Sequence, residues 1–333
     1  MKRIIPNIWA YILIVLSVIL LALLFLLMIG PTNWKKTSFV TIEEPILLDG
    51  YSSANYLSIM IDNSSIAMPQ SGLEKAVVVY EALVEGGFTR LMAVFNTADL
   101  PDKIGPIRSA RPYFLDWAND WQGSYWHAGG SPQALQLLAN KDWNFTDFNE
   151  ISYQGIYFFR DNNYINPHNL FTKPSLLNTA LETYEIDDKV SYLWNIKDEL
   201  AEEYRTNEAK FIHIPYPQPS NEVYWYYDKL NNVWQRYIGE DRQYYTNKEP
   251  IDIKNIIVLI LNTRLIDIER LGVDTIGGGQ GYLFRDGQKQ EIVWQKKSMD
   301  SQLELMAGQM PVQLNFGKTW IQILPQYLNL TYN

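Results

Sequence analysis

The chain has 333 residues, no cysteine and a formal net charge of −9. The absence of cysteine excludes disulfides, thiolate metal sites and a lipid attached through cysteine, and the acidic balance disfavours nucleic acid as a partner. A chain of this length exceeds one ordinary compact core, so we expect two folded domains.

The N-terminal apolar run predicts a membrane anchor. Residues 8–30 carry no charge and are numerous enough to span a bilayer as a helix. Two basic residues precede the run and two follow it, and the positive-inside preference, counting the α-amino group, places the N-terminus in the cytoplasm. We therefore expect a cytoplasmic tip and transmembrane signal-anchor over 1–36 and a linker over 37–55. The protein would be single-pass in the cell membrane, with its bulk extracytoplasmic.

Residues 56–195 are predicted to form an α/β domain. The expected elements, in chain order, are a strand over 56–63, a hairpin of 77–85 and 88–96, a helix from Pro112 to about Trp121, a strand over 123–128, a helix after Ser131, a strand in GIYFFRD and a helix in KPSLLNTALETYE. The hairpin is indicated by Gly86-Gly87, because glycine adopts the positive φ of a tight turn. Alternating strands and helices are typical of the α/β class.

Residues 210–330 are predicted to form a mainly antiparallel β (α+β) domain. It follows a proline-rich break, IPYPQPSN. Three hairpins are expected: EVYWYYD with NVWQRYIG, GYLFRDGQKQEIVWQK with its turn at Asp286-Gly287, and PVQLNFGKTWIQILP with its turn at 316–318. An apolar strand is expected over 255–264.

The segment HAGGSP suggests a site for an anion. Two glycines precede a helix that Ser131 caps and Pro132 begins. Backbone N–H groups of Gly129, Gly130 and Ser131 would then point toward one spot at the positive end of the helix. The alternative is an ordinary strand-to-helix turn in which Ser131 only caps its helix.

The segment GPIRSARP places Arg108 and Arg111 near the start of a helix. Guanidinium groups offer paired donors to carboxylate or phosphate, and a local cationic pair contrasts with the acidic chain around it. The alternative is that these arginines pair with internal acids, among them Glu81, Glu85 and Asp116.

Histidines and strand-end acids supply the other candidates. His127 ends a predicted strand, His168 lies in the loop NPHNLF, and His213 has apolar neighbours that favour a packed position. No metal-binding spacing is present, so a zinc site using His127 and His168 lacks support. Asp62 and Asp161 each end a predicted strand, where α/β proteins place site residues.

The longer motifs resemble a known family. MIDNS…PQSGLEKAVVVYEALVEGGFTRLMAVF, KIGPIRSARPYFLDWA, HAGGSPQAL and FFRD…PHNLFT, followed by WYYD…VWQRYIGE, NIIVLI and GKTWIQILP, are similar to the YerB-like family of bacterial membrane-attached proteins. The resemblance implies two domains and an extracytoplasmic location. Many relatives look like lipoproteins, whereas this chain lacks the cysteine that such attachment needs. The family has no known function, so the resemblance implies no site residues.

The preferred hypothesis is a membrane-anchored protein that binds an anionic cell-envelope ligand, or a protein partner, through a cleft in the first domain. We expect no cofactor and no metal. The residues expected to form or line the cleft are Arg108, Arg111, His127, Gly129, Gly130, Ser131, Asp62, Asp161 and His168.

The alternative hypothesis is a cell-envelope hydrolase that acts on peptidoglycan or a related polymer. His127 or Asp62 would be its general base, and the helix-start amides would stabilise an oxyanion.

Overall fold

The computed structural model describes residues 54–187, 189–267 and 270–333. The predicted tip and membrane helix, residues 1–36, lie outside the described residues, as does all but the end of the predicted linker. Within the described ranges, no helix is both long and apolar enough to cross a membrane.

Strands dominate the described chain, and α-helices are few. The strands are β1 (Tyr56–Asp62), β2 (Val78–Leu83), β3 (Thr89–Asn96), β4 (Ser124–His127), β5 (Thr146–Asn149), β6 (Phe159–Arg160), β7 (Leu170–Phe171), β8 (Asn195–Lys197), β9 (Phe211–Ile214), β10 (Val223–Asp228), β11 (Val233–Ile238), β12 (Asp241–Arg242), β13 (Asp252–Ile253), β14 (Asn255–Leu261), β15 (Thr263–Leu265), β16 (Leu271–Val273), β17 (Gly277–Arg285), β18 (Gln288–Lys296), β19 (Glu304–Ala307), β20 (Met310–Pro311), β21 (Gln313–Asn315), β22 (Thr319–Pro325) and β23 (Thr331–Tyr332). The helices are α1 (Pro112–Trp121), α2 (Pro132–Asn140) and α3 (Pro174–Thr183). This content is that of an α+β protein.

The three α-helices begin where the sequence predicted. Each starts with a proline, whose fixed φ suits the first helical turn and whose missing N–H removes no helical hydrogen bond there. The N-terminus of α2 is also capped, because Ser131 Oγ accepts a hydrogen bond from the Ala134 N–H at 3.2 Å.

Both halves of the chain contribute to one large sheet of eleven strands. Its order is β20-β19-β18-β17-β14-β22-β2-β3-β1-β4-β5. Strand β22, near the end of the chain, lies parallel between β14 and β2. A second sheet of six strands has the order β12-β11-β10-β9-β23, with β13 also paired to β11.

The pairing of neighbouring strands confirms most of the predicted hairpins. β2 and β3 form one, β10 and β11 a second, and β17 and β18 a third. The turn between β17 and β18 holds Asp286 and Gly287 at positive φ, 54° and 68°. The first half is more mixed than predicted, since β1 is antiparallel to β3 but parallel to β4.

The prediction of a hairpin over 311–325 is wrong. Its two strands do not pair with each other: β21 pairs with β8, whereas β22 pairs with β14 and β2. All seven residues of β22 are buried, so the strand fits the interior of the large sheet better than an exposed hairpin.

The central strands are covered on both faces. On β1, Met60 belongs to the apolar cluster on one face, while Ile59 and Ile61 belong to the cluster on the other. Trp117 of α1 packs in the first cluster, and Trp225 of the six-stranded sheet packs in the second. Covering of both faces explains why β1, β2 and β22 are buried along their whole lengths rather than at alternate residues.

Candidate functional site

The end of β1 brings three of the predicted site residues together. Oδ2 of Asp62, the last residue of β1, lies 2.8 Å from Arg108 Nε and 2.6 Å from His168 Nδ1. Arg108 reaches this point because its segment lies beside β1, where the Arg108 N–H donates to Met60 O at 3.0 Å. His168 arrives from the loop before β7. Asp62 thereby connects two segments that are distant from β1 in the sequence.

The Asp62 carboxylate is buried and ionised. Its side chain is 6% exposed. Burial by itself would raise its pKa, but the charge of Arg108 and hydrogen bonds from Ser64 and His168 hold the pKa of Asp62 below its usual value. A carboxylate that stays charged at neutral pH holds the guanidinium of Arg108 in one orientation.

A cavity of about 180 Å³ lies beside this cluster, and its charged lining residues are Arg108, Arg160 and Glu150. Arg160 Nη2 lies 3.5 Å from Glu150 Oε1, and Arg160 Nη1 donates to Asn169 Oδ1 at 2.8 Å. Asp62 contacts Arg108 through Nε, and among the described residues no hydrogen bond joins Nη1 or Nη2 of Arg108 to an acceptor. Those nitrogens are the donors that remain for a bound molecule.

Arg111 is paired inside the protein. Its Nε and Nη2 donate to the two oxygens of Glu85 at 2.7 and 2.6 Å, and its Nη1 donates to Ala110 O at 2.7 Å. This corrects the expectation that Arg111 faces the cleft beside Arg108. The structure instead shows the alternative arrangement, in which an internal acid, Glu85, neutralises Arg111.

A third arginine, which the sequence did not single out as a site residue, lies near these two. Arg90 Nη1 donates to Ser109 O at 2.8 Å. Burial, reinforced by the positive charges of Arg111 and Arg108, lowers the pKa of Arg90 to about 10. No carboxylate in the described part of the chain forms an ion pair with Arg90, so its charge adds to the local positive potential.

His127 is a packed core residue. It is 0% exposed, with Nδ1 at 2.6 Å from Gly129 O and Nε2 at 2.7 Å from Asp147 Oδ1. Its ring also stacks on Tyr125. Because both ring nitrogens have partners, the expectation that His127 binds a ligand or acts as a general base is corrected.

The turn 129–131 is largely occupied by internal hydrogen bonds. The Gly129 N–H donates to Asn149 Oδ1 at 2.9 Å, and the Ser131 N–H donates to Ala110 O at 3.2 Å. Together with the cap at Ser131 Oγ, these bonds correct the expectation of three amides directed at one anion. Gly130 packs closely, since a Cβ there would lie 3.3 Å from the Cβ of Ala110.

Asp161 directly follows β6, and its carboxylate pairs with a lysine. Lys103 Nζ donates to Asp161 Oδ2 at 2.8 Å. Hydrogen bonds from Lys103 and from the Asn163 backbone lower the pKa of Asp161. This ion pair anchors the loop that carries His168, because the Asp161 N–H also donates to Asn169 O. Asp161 therefore supports the cluster without touching it.

Three comparisons with known proteins agree on the family. Residues 49–187 match the family described as "Protein of unknown function (DUF3048) N-terminal domain", and residues 212–321 match "Protein of unknown function (DUF3048) C-terminal domain". The "Putative lipoprotein YerB" of Bacillus subtilis (strain 168) is 30% identical over 302 residues, covering 88% of this chain and 85% of that protein. The chain belongs to the DUF3048 family.

The resemblance to YerB-like proteins is thereby confirmed. The crystal structure of YerB from Bacillus subtilis matches this DUF3048 protein with a TM-score of 0.73 at 26% identity, over 85% of this chain and 96% of that chain. The DUF3048 family is described as being of unknown function, so the roles of residues must come from the geometry of the site.

Proposed function

We propose that this DUF3048 protein binds an anionic group at the Arg108 cavity. The observation that carries the proposal is the state of Arg108: Asp62 holds its Nε, while its terminal nitrogens lack an acceptor among the described residues. A guanidinium oriented in advance loses less conformational freedom on binding and offers two parallel donors to a carboxylate or phosphate.

The volume of the cavity and the charge of its lining residues limit which ligands it can hold. A cavity of about 180 Å³ is smaller than a typical pocket for a whole small molecule, about 300–1,000 Å³. It therefore suits one anionic group of a larger molecule. Arg160 is 45% exposed and lines the same cavity, so it supplies a second cation, which Glu150 at 3.5 Å partly offsets. An anionic cell-envelope polymer fits these limits, as does an acidic side chain of a protein partner.

The proposal includes attachment to the outer side of the membrane. Two observations support it: the relative is named "Putative lipoprotein YerB", and residues 8–30 of this chain are uncharged and long enough to span a bilayer. Because the chain has no cysteine, attachment would come from that single apolar helix rather than from a lipid.

A thermal-shift titration tests the binding site. Full-length protein in detergent is titrated with inorganic phosphate, citrate and glycerol 3-phosphate, as wild type and as Arg108→Gln. We expect at least one anion to raise the Tm of the wild type, because a ligand that binds only the folded state stabilises it by about 2.7 kcal/mol at a hundred times its Kd. We expect Arg108→Gln to lose this shift.

Arg242→Gln is the matched control. Arg242 is exposed to a similar degree, 29% against 25%, and is also paired with one carboxylate, Asp252 at 2.9 Å. This variant should keep the full shift. An equal shift in Arg108→Gln and wild type, or no shift with any of the three anions, would overturn the site.

Hydrolysis is a second candidate, favoured by the Asp62–His168 pair. A carboxylate on Nδ1 is the arrangement that orients a histidine as a general base. We prefer the binding function for two reasons. Ser64 Oγ also lies 3.2 Å from Nδ1 of His168, so Asp62 shares that nitrogen with a second group. His168 also does not line the cavity. Fragments released from purified peptidoglycan by wild type but not by His168→Gln would support the hydrolase instead.

A further inference from the structure

We propose that the side chains of Lys296 and Asp120 condense to an intramolecular amide bond in the folded protein. Asp120 lies in the last turn of α1, and Lys296 is the last residue of β18, 176 positions later. Lys296 Nζ contacts Asp120 Oδ1, and the two side chains are 0% and 1% exposed. The proposal is independent of the Arg108 cavity.

Tyr80 and its aromatic neighbours lie near the Asp120 carboxyl group. Tyr80 packs nearby, stacked on Trp117 with ring centroids 5.5 Å apart, and its hydroxyl accepts a hydrogen bond from Trp121 Nε1. Burial in such a place disfavours separate charges, whereas an amide carries no charge. In keeping with this, burial raises the pKa of Asp120 to about 7 against the opposing charge of Lys296.

The hydrogen bonds around the pair also suit an amide better than an ion pair. Lys296 Nζ donates to Ser301 O at 2.5 Å, a bond that an amide N–H can keep. Asp120 Oδ2 is buried and has no hydrogen bond of ordinary geometry in the described chain, while the backbone N–H of Leu303 lies close to the carboxylate. Condensation removes one carboxyl oxygen as water, so this buried oxygen would disappear.

The step balances without any further reagent. A proton passes from the ammonium to the carboxylate, and the lone pair of the neutral Nζ then attacks Cγ of Asp120. The new N–C bond forms as a C–O bond breaks, and the oxygen leaves with two protons as one water. No atom is oxidised or reduced.

A second carboxyl group is placed to move protons during this step. Asp116 lies one helical turn before Asp120, on the same face of α1. It accepts a hydrogen bond from Thr275 Oγ1, and burial raises its pKa. An acid that holds its proton more tightly than usual can deliver that proton to the departing oxygen.

Intact-mass spectrometry of the denatured full-length protein tests the proposal, together with a peptide map. We expect a mass lower by one water than the sequence requires, and a branched peptide that joins the segments around residues 120 and 296. Lys296→Met and Asp120→Ala should restore the full mass. Asp120→Asn should lose ammonia in place of water, because the leaving group of an asparagine is its amide nitrogen.

Lys197→Met is the matched control, because Lys197 also pairs with a buried carboxylate, Asp286, at 2.9 Å. This variant should keep the loss of water. The wild type decides the question even where a variant fails to fold. A wild-type mass equal to the sequence mass, with no branched peptide, overturns the proposal and leaves a buried ion pair.

Discussion

Glu81 and Arg236 form an ion pair that is closed to solvent. Arg236 Nη2 lies 2.9 Å from Glu81 Oε2, and the side chains are 2% and 0% exposed for Arg236 and Glu81. The pair joins β2 of the large sheet to β11 of the six-stranded sheet. Trp320 Nε1 and Gln322 Nε2 donate to the same carboxylate at 3.0 and 3.1 Å. The two sheets are therefore connected by charge as well as by apolar packing.

Removing one member of this pair should destabilise the fold strongly. We expect Arg236→Met or Glu81→Leu to lower the free energy of unfolding by about 3–5 kcal/mol, because each leaves a buried charge without its partner. The double variant should lose less than the two single losses combined. Urea denaturation followed by tryptophan fluorescence measures these values.

The exposed pair Lys75–Asp99 serves as the comparison, with side chains 43% and 66% exposed. Lys75→Met should change the free energy of unfolding by less than about 1 kcal/mol. Equal effects at the two pairs would contradict the argument from burial.

Asp62 should make stability depend on pH in a specific direction. Its pKa is lowered in the folded state, so its stabilising contribution is present above the ordinary aspartate value of 3.8 and is lost as pH falls through the lower folded value. At neutral pH we expect Asp62→Asn to cost about 1.5–3 kcal/mol, because Arg108 loses a charged partner. The difference between wild type and Asp62→Asn should shrink as pH falls from 5 toward about 2.

Urea midpoints measured for both proteins across that range would show the trend, since other carboxyl groups titrate alike in the two proteins. A difference that grows in acid would contradict the lowered pKa.

Gly123 and Gly155 should respond very differently to alanine. Both have positive φ, 61° and 73°. A Cβ at Gly123 would lie 2.3 Å from Tyr56 O, whereas a Cβ at Gly155 would meet no atom within 4 Å. We expect Gly155→Ala to cost about 1–2 kcal/mol for the backbone conformation alone, and Gly123→Ala to cost about 3 kcal/mol or more. Thermal denaturation of the two variants compares them directly, and similar losses would argue against the close contact.

Ser131 should act as a helix cap and not as a ligand contact. We expect Ser131→Ala to cost about 1 kcal/mol because the Ala134 N–H loses its acceptor. Ser131→Asp should retain most of the stability, since aspartate also caps helices well. The anion-induced shift of Tm should be the same in Ser131→Ala and wild type. A loss of that shift would place Ser131 in the binding site.

Local features of the chain were predictable because neighbours in the sequence create them. Prolines at 112, 132 and 174 begin the three described α-helices, and Gly86-Gly87 connects β2 to β3 as expected. Helix starts and tight turns depend on φ preferences and caps within a few residues. The prediction of a hairpin over 311–325 was wrong because β22 pairs with β14 and β2, which lie far away in the sequence.

By itself the sequence determined most of the local elements, the family and the three candidates that the fold brings together, Asp62, Arg108 and His168. Tertiary structure alone decided the partner of each charge: Asp62 meets His168, His127 meets Asp147, and Glu81 meets Arg236. The reason is physical. The strength of an ion pair depends on separation in space and on burial, and spacing along the chain specifies neither for residues far apart in the sequence.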